Sequence, residues 1–154
     1  EDIVGRTVER FAPRLADRAV DMDLDAPPVD VDPIFLDEGV GNAIENAVKY
    51  TSPGTPIRLT ARELAGDGFV RLTVEDGGPG VPEDALPLLF DKFYRVQKGD
   101  HVRPGTGLGL AISRGFVEAM HGTISAANRA DRSGAVLTIH LPIPARSDQL
   151  DTAA

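Results

Sequence analysis

Cysteine and tryptophan are missing from the 154-residue chain, and aromatic residues make up only 5% of it. Without cysteine there is no disulfide scaffold, no thiol nucleophile and no cysteine zinc site, and the absence fits a reducing compartment. Basic residues are outnumbered: 16 Lys and Arg stand against 24 Asp and Glu, giving a formal net charge of -8. That balance argues against extended binding to nucleic-acid phosphate or to anionic lipid, but leaves a small anionic ligand open. No apolar run approaches the ~20 residues of a membrane helix, and Glu1 opens no charged-then-apolar signal segment. What is present is ordinary for one globular domain: 42% hydrophobic and 26% charged residues. A chain of this length buries about 68–70% of its unfolded surface and needs no staple to fold. It lacks an initiator Met and begins inside an amphipathic pattern, so it reads as a piece of something longer.

Val4, Val8, Phe11 and Leu15 form one apolar helical stripe, predicting a helix over about residues 2–18. Val20, Met22 and Leu24 alternate with Asp21, Asp23 and Asp25, a half-buried strand that stops at Pro27-Pro28. Asp32 is placed as an N-cap with Pro33 at the first helical position, and the helix runs to about Tyr50. Ile57, Leu59 and Ala61, then Val70, Leu72 and Val74, alternate with polar residues across the Gly66-Asp67-Gly68 turn and predict a hairpin. A short helix around Glu83–Leu89 follows. Leu108, Ala111, Ile112, Gly115, Phe116, Ala119 and Met120 predict another apolar helical face, and strands are expected over Thr123–Ala127 and Ala135–Leu141. The layout is α/β, with helices on one mixed, largely antiparallel sheet; residues 145–154 read as a flexible tail.

Four features carry chemistry. On the helix ending at Tyr50, the side chains of Asn42, Asn46, Lys49 and Tyr50 project within about 100° of one another, at 100° per residue, with Leu36, Val40, Ala43, Ile44 and Ala47 opposite. Amide oxygens there could hold a hydrated Mg2+ and the Lys could neutralise phosphate; equally, this could be a solvated helix face. Asp76-Gly77-Gly78-Pro79-Gly80 ends a strand whose buried row continues into Asp76. A carboxylate in that row needs donors, and an adenine amine is one; a tight turn capped by its own Asp is the other reading. Gly105-Thr106-Gly107-Leu108-Gly109-Leu110 opens a helix and could cradle phosphate, although its spacing is not that of a dinucleotide fingerprint. Between these loops Lys92, Arg95, Lys98, His101 and Arg103 form a basic stretch in an acidic chain, either a solvated loop or a lid over a nucleotide.

At these residues the sequence resembles the catalytic, ATP-binding domain of sensor histidine kinases, a branch of the group that includes gyrase, the Hsp90 chaperones and MutL. Asn42 to Thr51 resembles the family's N box, Asp76 to Gly80 its G1 box, Phe90 to Arg95 its F box and Gly105 to Leu110 its G2 box. The opening Glu1 to Gly5 and the Asn128-Arg129 turn look most like the potassium-sensing KdpD-type kinases. The resemblance implies a two-layer α/β sandwich of the Bergerat type, spanning 19–144, with residues 1–18 a connector from an absent dimerisation hairpin. It implies that Asn46 ligates Mg2+, that Asn42, Lys49 and Arg95 serve the phosphates, and that Tyr50 lines the ATP pocket. Asp76 would bond the adenine amine, Gly78 and Gly80 would shape its loop, and Gly105, Thr106, Gly107, Leu108 and Gly109 would hinge the lid. Two departures stand out: Gly77 replaces a usual Asn, and Gly39 and Gly41 lower the helix propensity of the N-box helix by about 1 kcal/mol each, making its first half more flexible than usual.

A histidine kinase transfers the γ-phosphoryl to a His in a separate helical hairpin, and none of His101, His121 or His140 has the acceptor context. The implied partners are therefore ATP, that hairpin and a response regulator, in a cytoplasmic domain of a membrane-anchored sensor, with no nucleic acid and no direct membrane contact. Rivals are a family ATP hydrolase, a stand-alone anti-sigma-type serine kinase and an inactive nucleotide-binding scaffold. Hydrolases of the group place a Glu base where this chain has Asn42, while Glu45 is turned some 60° away.

Overall fold

A computed structural model describes residues 2–29, 31–64, 66, 68–92, 109–131 and 133–143. The elements run α1 (Asp2–Arg10), α2 (Ala12–Leu15), β1 (Val20–Asp25), α3 (Pro33–Lys49), β2 (Ile57–Leu64), β3 (Phe69–Asp76), a 3-10 turn (Leu86–Leu88), α4 (Gly109–Ala119), β4 (Thr123–Asn128) and β5 (Ala135–Pro142). The five strands form one sheet in the order β1-β2-β3-β5-β4. Only the β1–β2 pair is parallel, with α3 as its crossover; the remaining pairs are antiparallel. The predicted hairpin forms with Leu59 opposite Val74 and Ile57 opposite Asp76.

Alternation sorts the sheet into two faces. Ile57, Leu59, Val70, Leu72, Val74, Leu137, Ile139 and Leu141 are buried beneath the helices. The other face carries an ion-pair row, in which Arg58 meets Asp21 at 3.2 Å and Arg62 meets Asp23, and a hydroxyl pair between Thr60 and Thr73. Three aspartates on edge strand β1 keep that edge from pairing with another chain. Helix α3 lies between α1 and α4 in the covering layer. Asp32 caps it, accepting hydrogen bonds from the Ile34 and Phe35 amides, a cap worth about 1 kcal/mol.

Three expectations need correction. The first helix is broken at Phe11, because Pro13 has no N–H to give the carbonyl four residues back and its ring crowds that turn. The break lets Phe11 turn inward against Gly41, where a Cβ would sit 3.2 Å from the ring and 2.7 Å from the Arg10 guanidinium. Gly41 is thus a close-packing site in α3. The helix expected over Glu83–Leu89 shortens to a 3-10 turn flanked by simple turns. Finally, α4 buries Met120 of the expected face together with Leu110, Ser113 and Val117, while Ala111 and Phe116 are half-buried, Ile112 is 44% exposed and Gly115 and Ala119 are exposed, so the helix is rotated from the expected orientation. Contact with α3 sets this rotation, since the buried Ser113 hydroxyl donates to the Gly39 carbonyl at 3.1 Å and Phe116 packs on Phe35.

Candidate functional site

The C-terminal half of α3 has the polar face read from its sequence. Asn42, Asn46, Lys49 and Tyr50 are half-buried, while Leu36, Val40, Ala43, Ile44 and Ala47 opposite them are buried. Neither Asn amide bonds to another described residue, so both keep their oxygens for a ligand. Lys49 lies 3.6 Å from Glu45, which Arg14 also approaches at 3.4 Å. Glu45 is therefore contacted by cations from two sides.

The end of this helix is anchored from below. Arg18 donates to the Val48 carbonyl at 3.3 Å and to the Thr51 hydroxyl at 2.6 Å, and that hydroxyl donates back to the Ala47 carbonyl at 2.6 Å. These bonds satisfy C-terminal carbonyls that the helix leaves open. The Thr51 methyl in turn presses on Gly78, where a Cβ would approach it to 2.7 Å. The helix end and the loop after β3 thereby fix each other.

That loop presents Asp76. Its Oδ1 accepts from the Gly78 amide at 2.9 Å and from the Ala135 amide at 3.3 Å. The carboxylate caps its own turn, as one reading held. Its Oδ2 has no partner among the described residues and stays free for an incoming donor, as the other reading requires. Gly77 has a local explanation: its amide donates to the Pro56 carbonyl at 3.1 Å, and a Cβ would meet the Pro56 ring at 3.1 Å, so Asn would crowd it. Gly80 has φ +82, a left-handed conformation suited to glycine.

Asn46 and Asp76 line one recess of about 30 Å³ together with Val74, Val81, Leu89 and Ala126. That volume holds about one water, less than a ring system needs. A larger groove of about 600 Å³ lies elsewhere, lined by Leu24, Val29, Leu36, Leu72 and Leu141 with Asp2 and Arg6. Strand β3 joins the two, with Val70 in the groove and Asp76 in the recess. The groove is bigger, but the recess holds the convergent polar groups that fix a ligand's orientation, and it is the better site candidate.

Of the remaining expected site residues, Gly109 opens α4, whereas Arg95, Gly105, Thr106, Gly107 and Leu108 lie outside the described residues, as do Lys98, His101 and Arg103. His121 is exposed at φ 62 just beyond α4, and the Gly122 amide behind it bonds the Val117 carbonyl, a helix-ending role. His140 sits edge-on to Phe69. Sequence reasoning assigned no site role to the turn between β4 and β5. Its Asn128, Ser133 and Ala135 all bond the Asp76–Val81 loop. In sequence Asn128-Arg129 carried a likeness to KdpD-type kinases but no sign of this contact.

Residues 31–145 match the family described as histidine kinase-, DNA gyrase B- and HSP90-like ATPase. The chain is 37% identical over 144 residues to the sensor protein KdpD of Escherichia coli, covering 92% of this chain and 16% of that protein. Its backbone superposes on the mycobacterial sensor histidine kinase MprB with a TM-score of 0.79 at 29% identity, covering 94% of this chain and 96% of that one. A full-length ShkA structure in complex with AMPPNP gives a TM-score of 0.75 at 30% identity, over 92% of this chain and 29% of that one. The chain spans 13–29% of the length of the curated relatives it matches.

Proposed function

Because the chain belongs to the histidine kinase-, DNA gyrase B- and HSP90-like ATPase family, we propose that it is the ATP-binding catalytic domain of a sensor histidine kinase. It transfers the γ-phosphoryl of ATP to a histidine on a separate dimerisation hairpin, for relay to a response regulator. The observation that carries this reading is the meeting of Asn46 and Asp76 in one recess, on elements 30 residues apart in sequence order. The free Asp76 oxygen accepts from the adenine amine, while Val74, Val81 and Leu89 supply apolar walls for the ring.

From there the triphosphate lies against the polar face of α3, between Asn42 on one side of Asn46 and Lys49 on the other, and Tyr50 borders the nucleotide. Asn46 suits Mg2+, which takes oxygen ligands and keeps several waters, and the unbonded amide offers such an oxygen. When bound, the ion neutralises charge on the phosphate oxygens. Lys49 adds positive charge on the same helix face; Arg95 and the glycines from Gly105 to Gly107, to which the family resemblance gives phosphate and lid roles, lie outside the described residues. The chemistry is then positioning: an imidazole nitrogen attacks the γ-phosphorus, the bond to the bridging oxygen breaks, and ADP leaves with the electron pair. Transfer is favoured over hydrolysis because Asn42 stands where a water-activating Glu is needed and Glu45 is engaged by Lys49 and Arg14.

The acceptor hairpin would dock on the face of α4 that carries Ile112, Gly115 and Ala119, which is apolar and exposed among the described residues. Residues 1–18 serve as the connector to that hairpin while their inner side, through Val4, Phe11 and Leu15, belongs to the core. The setting is the cytoplasmic side of a membrane-anchored sensor; among the described residues no helix is long and apolar enough to cross a membrane. The test is to incubate the chain with γ-labelled ATP, Mg2+ and the dimerisation hairpin of the same kinase. Label on the hairpin histidine is expected. No label on the hairpin, with ATP bound, reduces the chain to a nucleotide-binding module.

A further inference from the structure

We propose that the turn between β4 and β5 is a working part of the nucleotide site, with Asn128 as the positioning residue that holds the Asp76–Val81 loop in its adenine-accepting shape. The inference rests on the nucleotide reading above and assigns a role to residues outside the family's boxes. Asn128 lies 47 residues from Val81, yet its amide pairs with both sides of that residue. The Val81 N–H donates to Oδ1 at 2.7 Å, and Nδ2 donates to the Val81 carbonyl at 2.7 Å. A side-chain amide offers one acceptor and two donors in a plane, so Asn128 engages Val81 as a neighbouring strand would. Asp lacks the donor and Ala lacks both groups.

The fit is tight. A Cβ on Gly80 would lie 2.8 Å from the Asn128 oxygen, so the left-handed glycine and the amide are matched to each other. The rest of the turn grips the same loop at regular intervals. Ser133 donates to the Gly78 carbonyl at 2.5 Å, the Ala135 amide reaches Asp76 Oδ1, and Arg129, whose side chain is 12% exposed, sits 3.4 Å from the Asp76 carbonyl and 3.7 Å from Glu75. Asp76, Gly78 and Val81 are thus all held from one distant turn. With Oδ1 of Asp76 occupied by two backbone amides, Oδ2 is the oxygen left to meet the base. An acceptor-only oxygen accepts an adenine amine and rejects the carbonyl oxygen of guanine at the same place.

The experiment is calorimetry of ATP, adenosine, GTP and tripolyphosphate on the chain and on N128A, with Tm and amide exchange at Val81 recorded for both. N128A should weaken ATP and adenosine alike by about tenfold, narrow the preference for ATP over GTP, leave tripolyphosphate unchanged and speed Val81 exchange. S133A removes one bond at an exposed position and should weaken ATP about threefold if N128A does not fold. If N128A keeps the parent's ATP affinity and base preference, the clamp is overturned while nucleotide binding stands. Equal losses for tripolyphosphate and adenosine overturn it too, because they indicate general damage. If the unsubstituted chain binds no ATP, the nucleotide reading falls and the clamp with it.

Discussion

At the strand end of the site the polar groups are already held by protein: Asp76 Oδ1 has two amide donors, Val81 is paired on both sides by Asn128, and Gly78 is bonded by Ser133. On the α3 wall, one side chain away, Asn42 and Asn46 have no partner among the described residues, and Lys49 has only a partly exposed contact with Glu45. The contrast teaches where preorganisation is invested. On the proposed function, the wall that would meet the base is the one already bonded within the protein, whereas the wall that would meet metal and phosphate keeps its amides free.

Substitutions on the two walls should therefore fail in different ways. The largest effect is expected for Asp76→Asn, which can still accept from Gly78 and Ala135 but turns a donor towards the adenine amine. ATP affinity should fall on the order of a hundredfold with little change in Tm, read by calorimetry and thermal melting. Gly134→Ala attacks the same wall from behind. Its φ is +137 and a Cβ would sit 2.0 Å from the Asp76 carbonyl oxygen. The strain should cost about 2–3 kcal/mol and lower Tm by roughly 4–12 °C, with adenosine binding weakened as well. Asn46→Ala belongs to the other wall and should leave Tm and metal-free nucleotide binding unchanged while removing most of the Mg2+-dependent gain in ATP affinity. An equal loss without Mg2+ would mean that Asn46 serves the base and that the two walls are not separate. The smallest effect is expected for Ile112→Ser, within about 0.5 kcal/mol of the parent's stability and neutral for ATP, because the side chain is 44% exposed. Its loss should appear only in phosphoryl transfer to the hairpin.

Much of this was legible in the residues. Asp32 and Pro33 marked the start of α3, alternation fixed the β2–β3 hairpin, and 3.6-residue periodicity separated Asn42, Asn46 and Lys49 from the core row. Pro13 broke the first helix locally, but the misses in packing share a physical cause, a partner far along the chain. On α4 the polar Ser113 turned inward because its hydroxyl meets the Gly39 carbonyl of α3. The glycines of α3 read as a propensity cost until Phe11 and Arg10 were seen packed against Gly41. The grip of Asn128, Ser133 and Ala135 on the Asp76 loop spans 47–59 residues, a distance over which sequence spacing carries no signal.

The central claim, that ATP binds between α3 and the Asp76 loop, is tested most directly by amide hydrogen exchange of the chain with and without ATP and Mg2+. Protection is predicted at residues 76–81, at the 128–135 turn and along 42–51, with the groove residues 24–36 unchanged. Protection centred on that groove, or none at saturating ATP, would contradict it.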